Sequence, residues 1–111
     1  ATTINLTGLD TSKVTQMGGM FRETLFTTLD LSSFDTSNVI NMYAMFYNSK
    51  VKTIYASNKF NTSSVSNSSN MFKNCTSLVG GSGTIYNSSK INKTYARIDG
   101  GTSSPGYFTG K

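Results

Sequence analysis

Apolar and polar positions along the chain repeat at intervals of 25 residues. Residues 3–21 align without gaps on residues 28–46 with nine identities in nineteen positions, where ordinary composition gives about one by chance. A third copy covers residues 53–72 and carries one extra residue. Such a repeat predicts similar units that stack on one another, because a single unit cannot bury its own apolar face.

Each copy begins with a short stretch in which apolar residues alternate with polar residues or tyrosine. This alternation is typical of a β-strand with one buried face. The apolar positions are Ile4 and Leu6, Leu29 and Leu31, and Ile54 and Ala56. Stacking of the copies predicts a parallel sheet in which Ile4, Leu29 and Ile54 share one buried column.

The second half of each copy has a different apolar spacing. Its apolar residues follow one another at i, i+3, i+6 and i+7, which favours a short helix with one buried face. In the first copy these residues are Val14, Met17, Met20 and Phe21. The triplets Asp-Thr-Ser at 10–12 and 35–37, and Asn-Thr-Ser at 61–63, precede this spacing and predict helix caps.

Together these elements predict an α/β solenoid, that is, a leucine-rich-repeat-like right-handed coil with short parallel strands and short helices. Residues 1–79 are expected to hold three units, at about 3–27, 28–52 and 53–79. Phe21, Phe46 and Phe72 are expected to form a second buried column in this stack.

The segment 80–111 lacks this spacing and is interrupted by glycines and Pro105. It predicts an irregular β cap that closes the C-terminal end of the stack. Candidate strands are Thr84–Tyr86, Thr94–Ile98 and Tyr107–Thr109. No comparable cap precedes Ala1, so the N-terminal face of the first unit is expected to contact further repeats or another chain.

The composition argues against catalysis. Histidine is absent, Cys75 is the only cysteine, and there are five acidic residues, so no nucleophile has an evident base. We therefore expect neither an enzyme nor a bound cofactor. Cys75 is expected to be a packed free thiol.

Asp10, Asp35 and Asn61 occupy equivalent positions in the three copies and could be read as stacked metal ligands. A calcium site needs about six to eight oxygen ligands, whereas helix capping accounts for these side chains directly. No metal site is therefore expected.

Ten Lys and Arg against five Asp and Glu give a net charge of +5. This surplus is mild, and no aromatic stacking motif or nucleic-acid-binding signature accompanies the lysines, so no nucleic-acid partner is expected. Weak attraction to acidic cell-wall polymers or host glycans stays open. No apolar run approaches the length of about 18 residues that a membrane helix needs, so no membrane insertion is expected.

Two stretches, LDLSSFDTSNV at 29–39 and TYARIDGGTSSPGYFT at 94–109, carry a family resemblance. With the segments NMYAMF and SNMF, they closely resemble the BspA-like leucine-rich repeats of bacterial surface proteins. The resemblance implies an extracellular or cell-surface location and adhesion to a host or bacterial surface protein or glycan. One departure is that Leu9, Phe34 and Phe60 replace the asparagine of the common leucine-rich repeat, which predicts a mainly phenylalanine spine.

The outward positions of the predicted strands are the candidate binding residues. Tyr55 is the first candidate, because an exposed tyrosine offers contact area and a hydroxyl at low entropic cost. The set comprises Asn5, Asp30, Tyr55, Ser32 and Ser57. The alternative is that this row only solvates the sheet, and that the chain is a structural spacer or assembly domain of a larger surface or phage-virion particle.

Overall fold

The computed structural model describes residues 3, 4, 6 and 8–111. Within them, four short strands form one parallel sheet in the order β1-β2-β3-β4. The strands are β1 (Thr3–Ile4), β2 (Thr28–Leu31), β3 (Thr53–Ala56) and β4 (Phe108–Gly110). The described residues also contain two 3₁₀ helices, Lys93–Tyr95 and Gly101–Ser103, and no α-helix.

The first three strands pair in the register that the repeat predicts. Ile4 lies opposite Leu29, and Leu29 lies opposite Ile54, so the sheet steps by one repeat unit at each strand. Leu29 and Ile54 are fully buried, as the alternation predicts, but Ile4 is 38% exposed. The expected burial of Ile4 is therefore wrong, because β1 lies at the edge of the sheet.

The predicted helices at 14–21, 39–46 and 65–72 are wrong: these segments are successions of turns. Alternate backbone N–H groups of the first two segments bond to the neighbouring unit, as from Met17 to the carbonyl of Asn41 at 2.8 Å. Turn bonds such as that from Met20 N–H to Met17 O, at 3.3 Å, place apolar side chains three residues apart. The spacing thus resembles a helical pattern, although no helical ladder forms.

Residues with positive φ explain why the turns do not become helices. They recur at two equivalent places in each unit, where a left-handed residue reverses the direction of the next peptide group. The first place holds Gly19, Ala44 and Asn70, with φ of 67°, 53° and 58°. The second place holds Glu23, Asn48 and Asn74, with φ of 58°, 57° and 64°.

The overall shape corrects the predicted fold class. The chain measures 32 × 32 × 23 Å with a Cα radius of gyration of 12.4 Å, close to the roughly 13 Å of a compact domain of about 100 residues. It is a small compact globule, so the prediction of an α/β solenoid, a right-handed leucine-rich-repeat-like coil with short helices, was wrong. The helical layer is absent from the described residues, and 111 residues are too few for an extended coil.

The extra residue of the third copy lies between β3 and the turn that follows it. In the second unit the turn after the strand is closed by a bond from Phe34 N–H to Leu31 O. In the third unit the same turn is closed by Phe60 N–H and Ser57 O, although Ala56 is the residue paired with Leu31. On the turn side, Gln16 bridges Asn41, which bridges Asn67, so the step there changes from 25 to 26 residues.

The core contains the predicted phenylalanine column. Phe46 stacks on Phe21 and on Phe72, with ring centroids 5.7 and 5.3 Å apart and both interplanar angles at 8°. Phe60 meets Phe108 edge-on at 4.7 Å, so β4 contributes to the same core. The predicted spine of Leu9, Phe34 and Phe60 is buried at its two phenylalanines, whereas Leu9 is 47% exposed.

The C-terminal segment contains one of its three candidate strands. The third candidate forms β4, shifted by one residue to Phe108–Gly110. The other two were wrong: Ile85 forms only an isolated antiparallel bridge with Val79, and Lys93–Tyr95 is a 3₁₀ helix. The many glycines of this segment favour turns over longer strands.

Candidate functional site

The predicted outward strand face lies at the middle of β2 and β3. Asp30 and Tyr55 are opposite each other in the sheet, and Thr109 of β4 follows next to Tyr55. Lys111 crosses this row from the C-terminal end of the chain. Its Nζ lies 2.5 Å from Asp30 Oδ2 and 5.0 Å from the centroid of the Tyr55 ring. We refer to Asp30, Tyr55 and Lys111 as the outward cluster.

Asp30 and Lys111 of the outward cluster stabilise each other's ionised form. The hydrogen bond from Lys111, followed by that from the Ser32 hydroxyl, lowers the pKa of Asp30 to about 2, although partial burial opposes the shift. The hydrogen bond to Asp30 raises the pKa of Lys111. Both groups are therefore charged at neutral pH.

The other candidate binding residues have more local roles. Ser32 donates from its backbone N–H and its hydroxyl to Asp30 Oδ1, at 3.0 and 2.6 Å, and so orients the carboxylate. Ser57 Oγ accepts a bond from Lys59 N–H at 3.2 Å within the turn that follows β3. Asn5 lies outside the described residues. The structure thus brings Asp30, Ser32 and Tyr55 together.

Asp99 is a buried carboxylate that the sequence did not single out. It is 7% exposed. It accepts hydrogen bonds from residues that precede it and from a residue that follows it in the chain. Oδ2 accepts from the N–H groups of Ser82 and Thr84 at 2.9 and 3.0 Å. Oδ1 accepts from the Thr84 hydroxyl at 2.8 Å and from Gly101 N–H at 2.9 Å.

These bonds determine the ionisation of Asp99. Burial raises its pKa, but the backbone bonds from Thr84 and Gly101, with the bonds from the Thr84 hydroxyl and Ser82, outweigh burial and lower the pKa to about 2. Because both oxygens are occupied by donors, Asp99 acts as a structural anion that ties together the segment 82–101. A Cβ on Gly80 would lie 2.6 Å from Asp99 Oδ2, so the packing here requires glycine.

The Asp-Thr-Ser and Asn-Thr-Ser triplets connect neighbouring units. The carboxylate of Asp35 accepts from Ser37 N–H and Oγ at 3.0 and 2.7 Å, which closes a turn where a helix cap was predicted. The middle threonine reaches the next unit: Thr36 Oγ1 donates to Asn61 O at 2.8 Å and accepts from Asn61 N–H at 2.7 Å. Thr11 makes the same pair of bonds to Asp35.

No group of three or more potential metal ligands occurs among the residues that the structure describes. Cys75 is fully buried, as predicted, and its Sγ donates to Phe46 O at 2.9 Å. Burial raises the pKa of the Cys75 thiol, although a hydrogen bond with Ser49 opposes the shift. The thiol is therefore protonated at neutral pH and unsuited to nucleophilic attack.

These features define a small repeat protein whose stacked turn units are closed by a C-terminal strand. The chain belongs to the family described as "Mycoplasma protein of unknown function, DUF285", whose model matches residues 1–104. Comparison with curated proteins and with solved structures found no similar protein. Among residues 3, 4, 6 and 8–111, there is no helix that is long and apolar enough to span a membrane.

Proposed function

We propose that this protein is a non-catalytic binding module, presented outside the cell, that attaches to a surface protein or glycan through the outward cluster. The observation that carries the proposal is the position of Lys111 over the ring of Tyr55 and against Asp30. An aromatic face beside paired charges offers stacking and directed hydrogen bonds in one small area. The resemblance of 29–39 and 94–109 to BspA-like surface proteins supports the extracellular location.

The chemistry of the outward cluster suits a polar ligand with an apolar face. A sugar ring or a peptide group can stack on Tyr55, while its hydroxyl or amide groups reach the carboxylate of Asp30 and the ammonium of Lys111. Tyr55 is only partly exposed, and Lys111 is 53% exposed at its side chain, so the lysine can move aside as a ligand approaches. The host or bacterial partner would thus compete with Lys111 for the tyrosine ring.

The roles of the acidic residues support the proposal of a non-catalytic protein. Asp30 is ion-paired, and Asp99 is saturated with donors. Asp10 and Asp35 close turns. The remaining acid, Glu23, lies 3.8 Å from Arg22 on the surface. No histidine is present to act as a general base.

The test compares two tyrosine variants in binding to immobilised neutral and anionic glycans and to epithelial cells. Tyr55→Ala should weaken binding, whereas Tyr43→Ala, which removes a tyrosine that is 45% exposed and outside the cluster, should not. Asp30→Ala should weaken binding in the same assay. Thermal unfolding of each variant separates lost binding from lost folding. Equal binding by Tyr55→Ala and the unaltered protein would reject the outward cluster as the site.

A second candidate function is that of a spacer or assembly domain in a larger surface or phage-virion particle. It is favoured by the apolar residues Ile4, Leu9 and Met20 of the first unit, which are 38%, 47% and 42% exposed. An assembly domain should self-associate or gain stability when joined to a neighbour. Sedimentation equilibrium measures this directly, and a stable monodisperse monomer would count against it.

A further inference from the structure

Between residues 17 and 23, and at the equivalent residues of the second unit, the backbone hydrogen bonds that join neighbouring units all run in one direction. The bonds on either side of this ladder run the other way, as from Ile40 N–H to Thr15 O at 2.8 Å. In the first unit, four N–H groups at alternate residues donate to carbonyls of the second unit over 2.7 to 2.9 Å. The second unit donates to the third through four equivalent bonds of 2.8 to 2.9 Å. The first set of donors is Met17, Gly19, Phe21 and Glu23, and the second is Met42, Ala44, Phe46 and Asn48.

This direction leaves a row of acceptors on the first unit. A trans peptide group is planar and its C=O points opposite to its N–H. Since the N–H groups of these four residues point to the second unit, the preceding carbonyls point away from it. They belong to Gln16, Gly18, Met20 and Arg22, and no backbone N–H of residues 3, 4, 6 and 8–111 donates to any of them.

An apolar depression lies beside this row. It has a volume of about 410 Å³, and its lining includes Leu9, Val14, Met17 and Met20. Leu9 and Met20 are 47% and 42% exposed. Their counterparts in the second unit, Phe34 and Met45, are fully buried. The same kind of surface is thus covered in the second unit and open in the first.

The acceptor row restricts what can cover this face. Two copies of the chain placed face to face would set carbonyls against carbonyls, which cannot bond. Two of the four equivalent donors of the third unit are already engaged by the C-terminal segment: Phe72 N–H donates to Ile91 O at 2.9 Å and Asn74 N–H to Tyr86 Oη at 3.0 Å. A second folded copy therefore cannot supply the full row of four donors.

We propose that the acceptor row and the apolar depression of the first unit bind a peptide segment of another polypeptide. That segment has the turn conformation of residues 15–24, presents N–H groups at alternate residues, and carries Gly or Asn at its left-handed positions. A phenylalanine of the segment stacks on Phe21, as Phe21 stacks on Phe46 at 5.7 Å. The structural template is the contact that the first unit makes with the second.

The probe is a synthetic peptide with the sequence of residues 13–24, KVTQMGGMFRET, in a linear form and in a form cyclised by a disulfide between cysteines added at its two ends. Cyclisation lowers the entropic cost of ordering a short peptide. Binding to the full chain is followed by NMR, with carbonyl ¹³C and amide shifts as the readout. We expect saturable shifts at residues 9–22 at peptide concentrations up to about 1 mM.

Two matched controls separate the ladder from simple apolar contact. A peptide N-methylated at the residues equivalent to Met17, Gly19, Phe21 and Glu23 keeps the side chains but loses the donors, and should not bind. In the protein, Met20→Asp should weaken binding by at least about tenfold. Ile85→Asp changes an apolar residue that is 72% exposed in the C-terminal segment and should have no effect.

Three results would overturn the proposal. They are the absence of saturable shifts with both peptide forms, equal binding of the N-methylated peptide, and equal losses in Met20→Asp and Ile85→Asp. The face contains no residue of the outward cluster. A negative result with the peptides therefore does not bear on the glycan and cell-binding test. A negative result with glycans and cells likewise does not bear on the peptide-binding test.

Discussion

Lys111 forms an ion pair with Asp30, a residue 81 positions earlier in the chain. The pair spans β3, because Asp30 lies on β2 and Lys111 follows β4. Lys111 N–H also donates to Ala56 O at 3.0 Å, so both its backbone and its side chain fasten the C-terminal end to the repeat units. The C-terminal strand and the outward strand face are therefore coupled.

Removing the lysine should change the ionisation of Asp30. In Lys111→Gln we expect the pKa of Asp30 to rise from about 2 towards its ordinary value of 3.8 while remaining below it, since the Ser32 bonds persist. Carboxyl ¹³C shifts measured against pH report this pKa. Lys50→Gln is the matched control, with an exposed lysine outside the cluster. An unchanged Asp30 pKa in Lys111→Gln would show that the pair does not form in solution.

Acid should destabilise the protein through Asp99. Its pKa is about 2 when folded and 3.8 ordinarily, which corresponds to about 2 kcal/mol of folding free energy above pH 4. Because the folded pKa is the lower one, this contribution is present above about pH 4 and is lost as the pH falls towards 2. The difference in urea unfolding between pH 5 and pH 2.5 measures this loss together with that of Asp30, whose pKa is also lowered to about 2.

Asp99→Asn tests the assignment of that pH dependence. The amide cannot accept all the bonds that the carboxylate accepts, so the variant should be less stable than the unaltered protein at pH 5 and nearly equal to it at pH 2. Asp10→Asn is the control, because its carboxylate closes an exposed turn. A pH dependence that is as steep in Asp99→Asn as in the unaltered protein would place the titrating group elsewhere.

The hydroxyl of Thr36 should contribute more to the free energy of unfolding than its methyl group does. Thr36→Val keeps the shape but leaves the N–H and C=O of Asn61 without their buried partner, at a cost of about 2 kcal/mol. Thr36→Ser keeps the hydroxyl and should cost less, about 1 kcal/mol. Urea unfolding ranks the two variants, and a greater loss in Thr36→Ser would show that packing, not hydrogen bonding, holds this junction.

Gly19 should tolerate asparagine better than alanine. Its φ is 67°, and a Cβ there meets no atom within 4 Å, so only backbone conformation is at issue. Gly19→Ala should lose about 1 kcal/mol, the left-handed penalty less the gain from a stiffer unfolded chain. Gly19→Asn reproduces the residue that Asn70 supplies at the same place. Thermal unfolding should place Gly19→Asn above Gly19→Ala, and the opposite order would contradict the role of φ.

The repeat period correctly predicted the strand register of the sheet. The apolar spacing wrongly predicted helices where the chain forms turns. Aligning Ile4, Leu29 and Ile54 gives the strand register directly, because parallel pairing preserves the repeat. The i, i+3 spacing is shared by helices and by consecutive turns, and only the left-handed residues distinguish the two. Gly19 and its counterpart Asn70 carried that signal in the sequence, whereas Ala44 in the same position hid it.

Only part of the outward cluster could be predicted from the sequence. The pairing of Asp30 with Tyr55 follows from the repeat, so their adjacency was predictable. The position of Lys111 was not predictable, because β4 lies outside the repeat and no repeat period sets the register of β4 against β3. Asp99 had a weaker signal: it is the only acidic residue in 80–111, and two glycines follow it.

Ser57 shows where the molecule can gain length. The sheet keeps its step of 25 residues across the third unit, while the turn ladder steps by 26, so the added residue is absorbed between the two ladders. Surface insertions of this kind carry only a small entropic cost. The junction after Ala56 is therefore a grafting position, at which an epitope or affinity tag can be displayed with both ladders left in register.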